Sequence, residues 1–433
     1  MSDFQNDGID KLLRKHGLHE SCFDFGEHVA RFTKEMDLGL SGLPSSLFML
    51  PTYLDICKGE NMSGEVLAID AGGTNLRVGL VEFQEDKPPE IKYYNKQPVP
   101  GAGTPIDKDD FFDTIAESLA PITEHSDKVG FSFSFPTDVE PSRDGRIIYF
   151  DKEVKVNGGA GAMVGEELNV ALKRLGKSVV NLTLLNDSTA ALLGVAAEEG
   201  SKAYSGHIGL IYGTGINICY SEDIDRIGKL KAEDIPCGAK HMLINTETGS
   251  YAGFDRGSCD VAIDNASDDP GSQLFEKMVS GAYFSVVVLY ALKLAADEGF
   301  FTDKTYAWIK GQDRLDPIAI DDFMREPCSN SQMAQNCSGG NDRESIFFII
   351  DSLYDRAAKL VAIAVTAVMI RCGGGTEEAP ILLVVDGSTF HKGYKFRERF
   401  EGMIMKYSGL PIHYRLVGSE DHTLIGAAAS VFM

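Results

Sequence analysis

This chain of 433 residues has few of the features that mark a zinc protein, a secreted protein or a membrane protein. Its eight cysteines form no CxxC pair, so we expect free thiols rather than a zinc site or a disulfide framework. No stretch near the N-terminus resembles a secretory signal. The longest apolar run, residues 360–370, is too short to cross a bilayer and predicts a buried helix. These absences predict a cytoplasmic protein without a membrane partner.

Positive charge is also scarce, because 41 Lys and Arg stand against 64 Asp and Glu, for a formal net charge of −23 at pH 7. Such a surface repels phosphate backbones, so we expect no nucleic-acid partner. A small anion could still bind where backbone N–H groups face it, since salt screens the long-range field within roughly 8–10 Å. The length predicts about two to three domains.

The most informative segment is LAIDAGGTNLR at residues 67–77. Two apolar runs flank a glycine-containing turn, which predicts a β-hairpin. Its glycines and polar residues are Asp70, Gly72, Gly73, Thr74, Asn75 and Arg77. Glycines let backbone N–H groups approach an anion, and a strand-end carboxylate such as Asp70 can hold hydrated Mg²⁺ beside phosphates. We therefore interpret this hairpin as a nucleotide phosphate loop.

A second hairpin with the same plan follows about 140 residues later, at IGLIYGTGINICY, residues 208–220. Its turn is Gly213-Thr214-Gly215, and Asn217 lies on its second strand. Two such hairpins, each opening a strand-and-helix domain, are what a duplicated nucleotide-binding fold needs, one loop for each side of a triphosphate. Two unrelated Gly-Thr turns are the alternative.

The rest of the chain alternates between helical and extended patterns, which indicates an α/β protein. The predicted helices cover residues 111–122, 165–175, 190–199, 273–299, 345–371 and 395–407. The predicted strands cover residues 129–135, 179–185 and 381–385, and residues 326–342 have the composition of a surface loop.

Asp187 is the strongest candidate for a catalytic group. It follows an apolar strand and starts a helix, where open α/β sheets place ligands. A helix N-terminus favours the ionised carboxylate, which suits a base that takes a proton from a hydroxyl, and Asn186 could bind the same substrate. Plain N-capping by the sequence Asn-Asp-Ser-Thr explains the same pattern, and for this segment taken alone it is the stronger explanation.

Further segments carry the carboxylates, amides and hydroxyls that read a hydroxyl-rich substrate. They contain Ser134, Asp151-Lys152, residues 245–249 and Glu276. Taken alone, Glu276 would usually lie on a solvent-exposed helix face and Lys152 would usually be a surface base, so only the joint order of these segments supports a site.

The order of these motifs resembles the hexokinase family, the eukaryotic-type hexokinases and glucokinases, within the actin-like and heat-shock-ATPase-like superfamily. The matching segments are residues 34–40, 49–53, 70–77, 133–136, 186–187, 213–217, 245–247, 276, 386–388 and 426–428. They cover nearly the whole chain in the family order.

The resemblance implies a role for each matching position. Asp187 resembles the base that takes the proton of the sugar 6-hydroxyl, and Lys152 resembles a lysine beside the transferred phosphoryl group. The implied sugar ligands are Ser134, Asp151, Lys152, Asn186, Asp187, Asn217, Glu247 and Glu276. The implied nucleotide-binding residues are Asp70, Gly72, Gly73, Thr74, Asn75, Arg77, Gly213, Thr214, Gly215, Gly387, Ser388 and Thr423. Asp70 and Asp187 are implied to reach Mg²⁺ through water.

The resemblance also implies a fold, an α/β two-lobed actin-like ATPase (ribonuclease H-like) fold with a duplicated βαβ core and a sugar cleft between the lobes. We expect a small lobe of residues 67–185 plus 422–433 and a large lobe of residues 1–63 plus 188–418. The implied activity is the ATP- and Mg²⁺-dependent phosphorylation of a hexose, with glucose expected, at the 6-hydroxyl, a reaction of glycolysis. The expected partners are the hexose and ATP, and both monomer and homodimer remain open.

Two departures from the family pattern concern specificity. The family usually has Asn-Trp-Thr-Lys where this chain has residues 149–152, Tyr-Phe-Asp-Lys. Asp151 accepts hydrogen bonds but donates none when ionised, so the preference among glucose, mannose, fructose and amino sugars stays open. The turn at residues 422–425 also differs, which leaves the nucleotide preference open.

Two other functions are alternatives to the kinase. A hexokinase-like sugar sensor would bind sugar with little or no turnover, but the base and the phosphate loops are present. An actin-like ATPase without a sugar site would have no use for Asn217, Glu247 and Glu276. The sequence therefore favours the kinase.

Overall fold

A computed structural model describes residues 2–56, 62–85, 87–150, 154–199, 203–409, 411–418 and 422–433. The strands are β1 (Leu50–Pro51), β2 (Gly64–Ala71), β3 (Asn75–Phe83), β4 (Glu90–Pro98), β5 (Ile106–Asp107), β6 (Lys128–Phe133), β7 (Thr137–Val139), β8 (Gly145–Ile147), β9 (Val156–Asn157), β10 (Asn181–Leu185), β11 (Gly206–Tyr212), β12 (Ile216–Asp223), β13 (His241–Asn245), β14 (Ile381–Asp386) and β15 (Tyr414–Gly418).

The helices come mostly in the second half of the chain. They are α1 (Ser2–Lys15), α2 (Phe25–Leu40), α3 (Lys108–Leu119), α4 (Val164–Arg174), α5 (Asp187–Glu199), α6 (Ser258–Ala266), α7 (Leu274–Val279), α8 (Gly281–Asp297), α9 (Asp303–Lys310), α10 (Pro317–Arg325), α11 (Gln332–Asn336), α12 (Gly340–Arg371), α13 (Ser388–Lys392), α14 (Phe396–Tyr407) and α15 (His422–Ala429).

The two large sheets share one plan. In the first, the order is β10-β6-β2-β3-β4, where β2, β3 and β4 form an antiparallel meander and β6 and β10 run parallel to β2. In the second, β11, β12 and β13 form the meander, β14 and β15 run parallel to β11, and β1 adds to the edge at β13. The repeated hairpin of the sequence therefore reflects a duplicated fold, as predicted.

The side chains of β2 alternate between two cores, which explains why this strand is apolar almost throughout. Leu67 and Ile69 pack into a core beneath α3 and α4. Val66 and Ala68 pack into a second core that contains α5 and α15. Because α5 contacts the second sheet and α15 contacts the first, this helix pair lies between the two sheets.

Glycine makes the contact between α5 and α15 unusually close. A Cβ atom on Gly426 would lie 1.8 Å from the carbonyl oxygen of Ala190, and a Cβ on Gly194 would lie 2.1 Å from that of His422. Backbone atoms held within a helix cannot move far enough to admit a methyl group. These positions therefore require glycine for packing.

Two predicted elements were wrong. The single helix expected over residues 273–299 is two helices, α7 and α8, because Ser280 is extended and the N–H groups of Gly281 and Ala282 donate to carbonyl oxygens of the second hairpin. The loop expected over residues 326–342 contains α11 and the first turn of α12. The side chain of Ser331 caps α11. This helix is too short to show periodicity in the sequence.

Other predictions hold. The apolar run at residues 360–370 lies within the buried helix α12, and the seven described cysteines are free thiols. No helix in the described parts of the chain is both long enough and apolar enough to span a membrane. The predicted lobe boundaries stay a prediction, although the strands of the first sheet all come from residues 64–185.

Candidate active site

A cleft of about 860 Å³ lies where the parallel strands of both sheets end. This volume falls in the range of roughly 300–1,000 Å³ that is typical of small-molecule and cofactor sites. Every predicted site residue lines it except Asp151 and Lys152, which lie outside the described residues. The predicted residues that line the cleft are Asp70, Gly72, Gly73, Thr74, Asn75, Arg77, Ser134, Asn186, Asp187, Gly213, Thr214, Gly215, Asn217, Glu247, Glu276, Gly387, Ser388 and Thr423.

The first hairpin turn presents open backbone to this cleft. The N–H of Gly72 donates to the carbonyl oxygen of Asn75 at 3.0 Å, and the carbonyl of Thr74 accepts from Val99 N at 3.0 Å. A Cβ atom on Gly72 would meet no other heavy atom closer than 3.8 Å. The turn is thus held in shape by its neighbours and leaves room for a ligand against its backbone.

Asp70 ends strand β2 and is buried, with 5% of its surface exposed. Arg77 Nη1 donates to Asp70 Oδ2 at 2.8 Å, and Thr423 Oγ1 donates to the same oxygen at 3.1 Å. Burial raises the pKa of Asp70 against the opposing effect of Arg77, and nearby Asp187 raises it further. A cation beside these two carboxylates would therefore be favourable.

The second hairpin turn is tied to two helices. Gly213 accepts hydrogen bonds at its carbonyl from Gly281 N at 2.8 Å and from Thr389 Oγ1 at 2.9 Å. Gly213 also lies close to Gly387, because a Cβ atom on Gly213 would be 3.4 Å from the Cα atom of Gly387. The break between α7 and α8, which the sequence did not predict, is what brings α8 to this turn.

A hydrogen-bonded amide network surrounds Asp187. Asn217 Nδ2 donates to Asn186 Oδ1 at 3.0 Å and to Asn245 Oδ1 at 2.8 Å. Asn186 Oδ1 also accepts from Ser188 N at 3.0 Å. Asp187 lines the cleft, while its Oδ1 accepts from Ser188 N at 2.8 Å. The network fixes two amides beside the carboxylate, as a site that binds a hydroxyl-bearing ligand requires.

Two further carboxylates line the cleft. Glu276 Oε2 accepts from Ile216 N at 3.0 Å, and Glu247 Oε1 accepts from Asn245 Nδ2 at 2.8 Å. Glu247 has a left-handed backbone with φ of 54°, and Gln273, which also lines the cleft, has φ of 48°. Such backbones cost energy for non-glycine residues and concentrate at functional sites.

Three charged or amide residues of the cleft were assigned no role from the sequence, namely Asp386, which lies in the matching segment 386–388, and Lys392 and Gln273. Asp386 ends strand β14 as Asp70 ends β2, and that strand-end position was the available signal. Burial raises the pKa of Asp386, and the carboxylates of Asp187 and Asp70 raise it further. Nothing in the local sequence marks Lys392 or Gln273.

Comparisons with known proteins agree with this geometry. A hexokinase family model matches residues 14–197 and a second one matches residues 207–433. Hexokinase-1 of Schizosaccharomyces pombe is 30% identical over 431 residues, which cover 92% of this chain and 85% of the relative. Human Hexokinase-1 is 29% identical over 92% of this chain, but the chain spans only 45% of that relative.

The solved structures give the same answer for the fold. A hexokinase from Schistosoma mansoni, solved in complex with glucose, superposes with a TM-score of 0.82 at 25% sequence identity. The alignment covers 100% of this chain and 99% of that one.

The duplicated sheets and the cleft between them define an enzyme of the two-lobed α/β class with the actin-like ATPase fold, a phosphotransferase. With the family models matching both halves of the sequence, the chain belongs to the hexokinase family, which confirms the resemblance.

Proposed function

We propose that this protein transfers the γ-phosphoryl group of ATP to the 6-hydroxyl of a hexose, with glucose as the expected substrate. The observation that carries the proposal is the shared cleft, which is lined both by amides and carboxylates and by the two glycine turns. A cytoplasmic location and a place in glycolysis follow from this activity and are proposed with it.

Asp187 is proposed as the general base. In phosphoryl transfer the hydroxyl attacks the γ-phosphorus while its proton passes to a nearby base, and catalysis depends mainly on position and charge. The carboxylate of Asp187 lies in the cleft beside the amides of Asn186 and Asn217. Lys152 is proposed to add positive charge near the transferred group.

The hexose is proposed to bind through the polar side chains around this base. The amide and carboxylate groups offer the paired donors and acceptors that sugar hydroxyls need. The proposed sugar ligands are Ser134, Asp151, Lys152, Asn186, Asp187, Asn217, Glu247 and Glu276.

The nucleotide is proposed to lie across the two hairpin turns, between Gly72–Arg77 and Gly213–Gly215, with Gly387, Ser388 and Thr423 beside it. Both turns present backbone to the cleft, which suits phosphate oxygens. Mg²⁺ fits the donor set, because the buried carboxylate of Asp70 lies near that of Asp187 and needs neutralising charge. Among the described residues no group of three His, Cys, Asp or Glu could hold a metal directly, so Asp70 and Asp187 are proposed to hold the ion through water. When bound, the ion would neutralise charge on the phosphates.

The two lobes are proposed to close over the hexose, with residues 67–185 plus 422–433 moving against residues 1–63 plus 188–418. Closure would exclude water, which competes with the sugar hydroxyl for the phosphoryl group.

The first test is ADP release from purified protein with ATP and Mg²⁺, measured with glucose, mannose, fructose, glucosamine, N-acetylglucosamine and no sugar. Sugar-dependent release supports the kinase, and the ranking shows the effect of Asp151. Rapid release without sugar would contradict it and indicate an ATPase. If the protein binds glucose but releases no ADP with any of the sugars, it would instead be the sugar sensor.

The second test is Asp187→Ala. We expect turnover to fall by about 10²- to 10⁴-fold, as for loss of a general base, while hexose affinity measured by calorimetry stays nearly unchanged. Asp316→Ala is the matched control, because Asp316 caps α10 through Ile318 N at 2.9 Å and lies away from the cleft. Turnover of Asp187→Ala within a few-fold of the native enzyme would show that Asp187 only caps its helix.

A further inference from the structure

A buried lysine lies next to the cleft carboxylate Glu276 in helix α7. Only 2% of the Lys277 side chain is exposed. Its Nζ donates to Asp264 Oδ1 at 2.9 Å and to the carbonyl oxygen of Asp269 at 2.8 Å, and it pairs with Asp269 Oδ1 at 2.9 Å. Lysine is rarely buried without such partners, so this side chain has a specific structural task.

Asp264 is the acceptor for several donors in and around the segment that connects α6 to α7. Besides Lys277, its Oδ1 accepts from Gly271 N at 3.0 Å, and its Oδ2 accepts from Arg256 Nη1 at 3.0 Å. Burial opposes both charges, but these hydrogen bonds outweigh it, so the pKa of Lys277 is raised and the pKa of Asp264 is lowered. Both groups are charged at neutral pH.

This connection leads directly into the cleft. Its last residue, Gln273, has the left-handed backbone noted above, and Glu276 follows one turn later. A non-glycine residue keeps such a backbone only when its surroundings hold it. The contacts of Asp264 with Gly271 and Lys277 hold the chain on both sides of Gln273.

We propose that Lys277 and Asp264 are a positioning pair that holds Glu276 and Gln273 in place for the hexose. Neither member of the pair lines the cleft, so both act through the two residues that do. The inference rests on the proposed sugar site. It adds two residues that would support this site without touching the substrate.

The test compares two buried lysines, each of which pairs with a carboxylate and a backbone carbonyl. Lys359 of helix α12 has 5% of its side chain exposed, and its Nζ donates to Glu20 Oε2 at 2.7 Å and to the Glu20 carbonyl at 3.1 Å. Lys277→Met and Lys359→Met should therefore lower Tm comparably. Only Lys277→Met should raise the hexose Kd and KM, by about tenfold or more, because a displaced Glu276 would lose its proposed charge-assisted hydrogen bond to the sugar. Its kcat and its KM for ATP should stay within about threefold.

Asp264→Ala removes the oxygen that accepts from both Gly271 N and Lys277 Nζ, and it serves as the second variant if Lys277→Met does not fold. The inference would be overturned if a folded Lys277 or Asp264 variant had a hexose Kd within about twofold of the native value. It would also be overturned if Lys359→Met weakened hexose binding as much as Lys277→Met does.

Glu276→Gln distinguishes failure of the inference from failure of the proposed function. If this variant binds hexose normally, the sugar site itself is misassigned and the inference falls with it. If it binds hexose weakly while the Lys277 and Asp264 variants bind normally, only the positioning role is wrong.

Discussion

Replacement of Gly215 by alanine should separate the function of the second hairpin from its stability. A Cβ atom at this position would lie 2.5 Å from Glu276 Oε2 and 3.3 Å from its Cδ. Ordinary contact begins near 3.4 Å, so the carboxylate oxygen must move by about 1 Å. Gly215 has no positive φ, and the clash falls on the end of a flexible side chain, so the fold should tolerate alanine.

The displaced carboxylate would lose its bond from Ile216 N and its proposed bond to a sugar hydroxyl. A hydrogen bond to a charged group contributes about 1.5–3 kcal/mol. At about 1.4 kcal/mol per tenfold change, the hexose KM should rise by about 10- to 100-fold. The assay is coupled ADP release across hexose concentrations, with calorimetric Kd beside it and urea unfolding as the measure of stability.

Gly402→Ala is the control, because Gly402 lies in helix α14 and a Cβ there meets nothing within 4 Å. It should leave hexose KM unchanged. A Gly215→Ala enzyme with native hexose KM would refute the reasoning that Glu276 needs the space beside Gly215. A large loss of stability would refute the claim that the clash is absorbed by the side chain.

Three further predictions concern stability and the nucleotide. Gly426→Ala should lower the free energy of unfolding by about 3 kcal/mol in urea, because its Cβ would overlap the Ala190 carbonyl. Burial lowers the pKa of His28 in the folded protein. The neutral side chain should therefore contribute its full stability above about pH 6.5, and this contribution should be lost as the pH falls toward the folded pKa. His28→Gln should weaken this pH dependence of the free energy of unfolding. Lys392→Met should raise the KM for ATP by about tenfold, since its side chain lines the cleft, while Lys395→Met, outside the cleft lining, should not.

Each of these has a clear contrary result. Near-native stability of Gly426→Ala would mean that α5 and α15 can separate. A pH dependence unchanged in the His28 variant would assign it to another group. An unchanged KM for ATP in the Lys392 variant would place the nucleotide away from α13.

The local sequence was enough to predict the two hairpin turns, because glycine, hydroxyl and strand-end carboxylate residues at short spacing have few other uses. It was also enough to predict most helices and strands, since periodicity is a local property. It failed at Ser280, where a continuous apolar pattern hides a break whose cause is the distant carbonyl of Gly213. It failed again at residues 332–336, where a helix of one turn has no period to detect.

By itself the sequence determined the turns, the alternation of elements and, through the order of motifs, the family. The tertiary structure alone decided which side chains share the cleft, because the parallel strands of two sheets, far apart in the chain, end at one place. It placed Asp386 in the same cleft as Asp70 and Asp187, Gly215 against Glu276, and Asp264 against Lys277. These residues meet because distant segments of the chain pack together, and such packing leaves no periodicity or spacing in the local sequence.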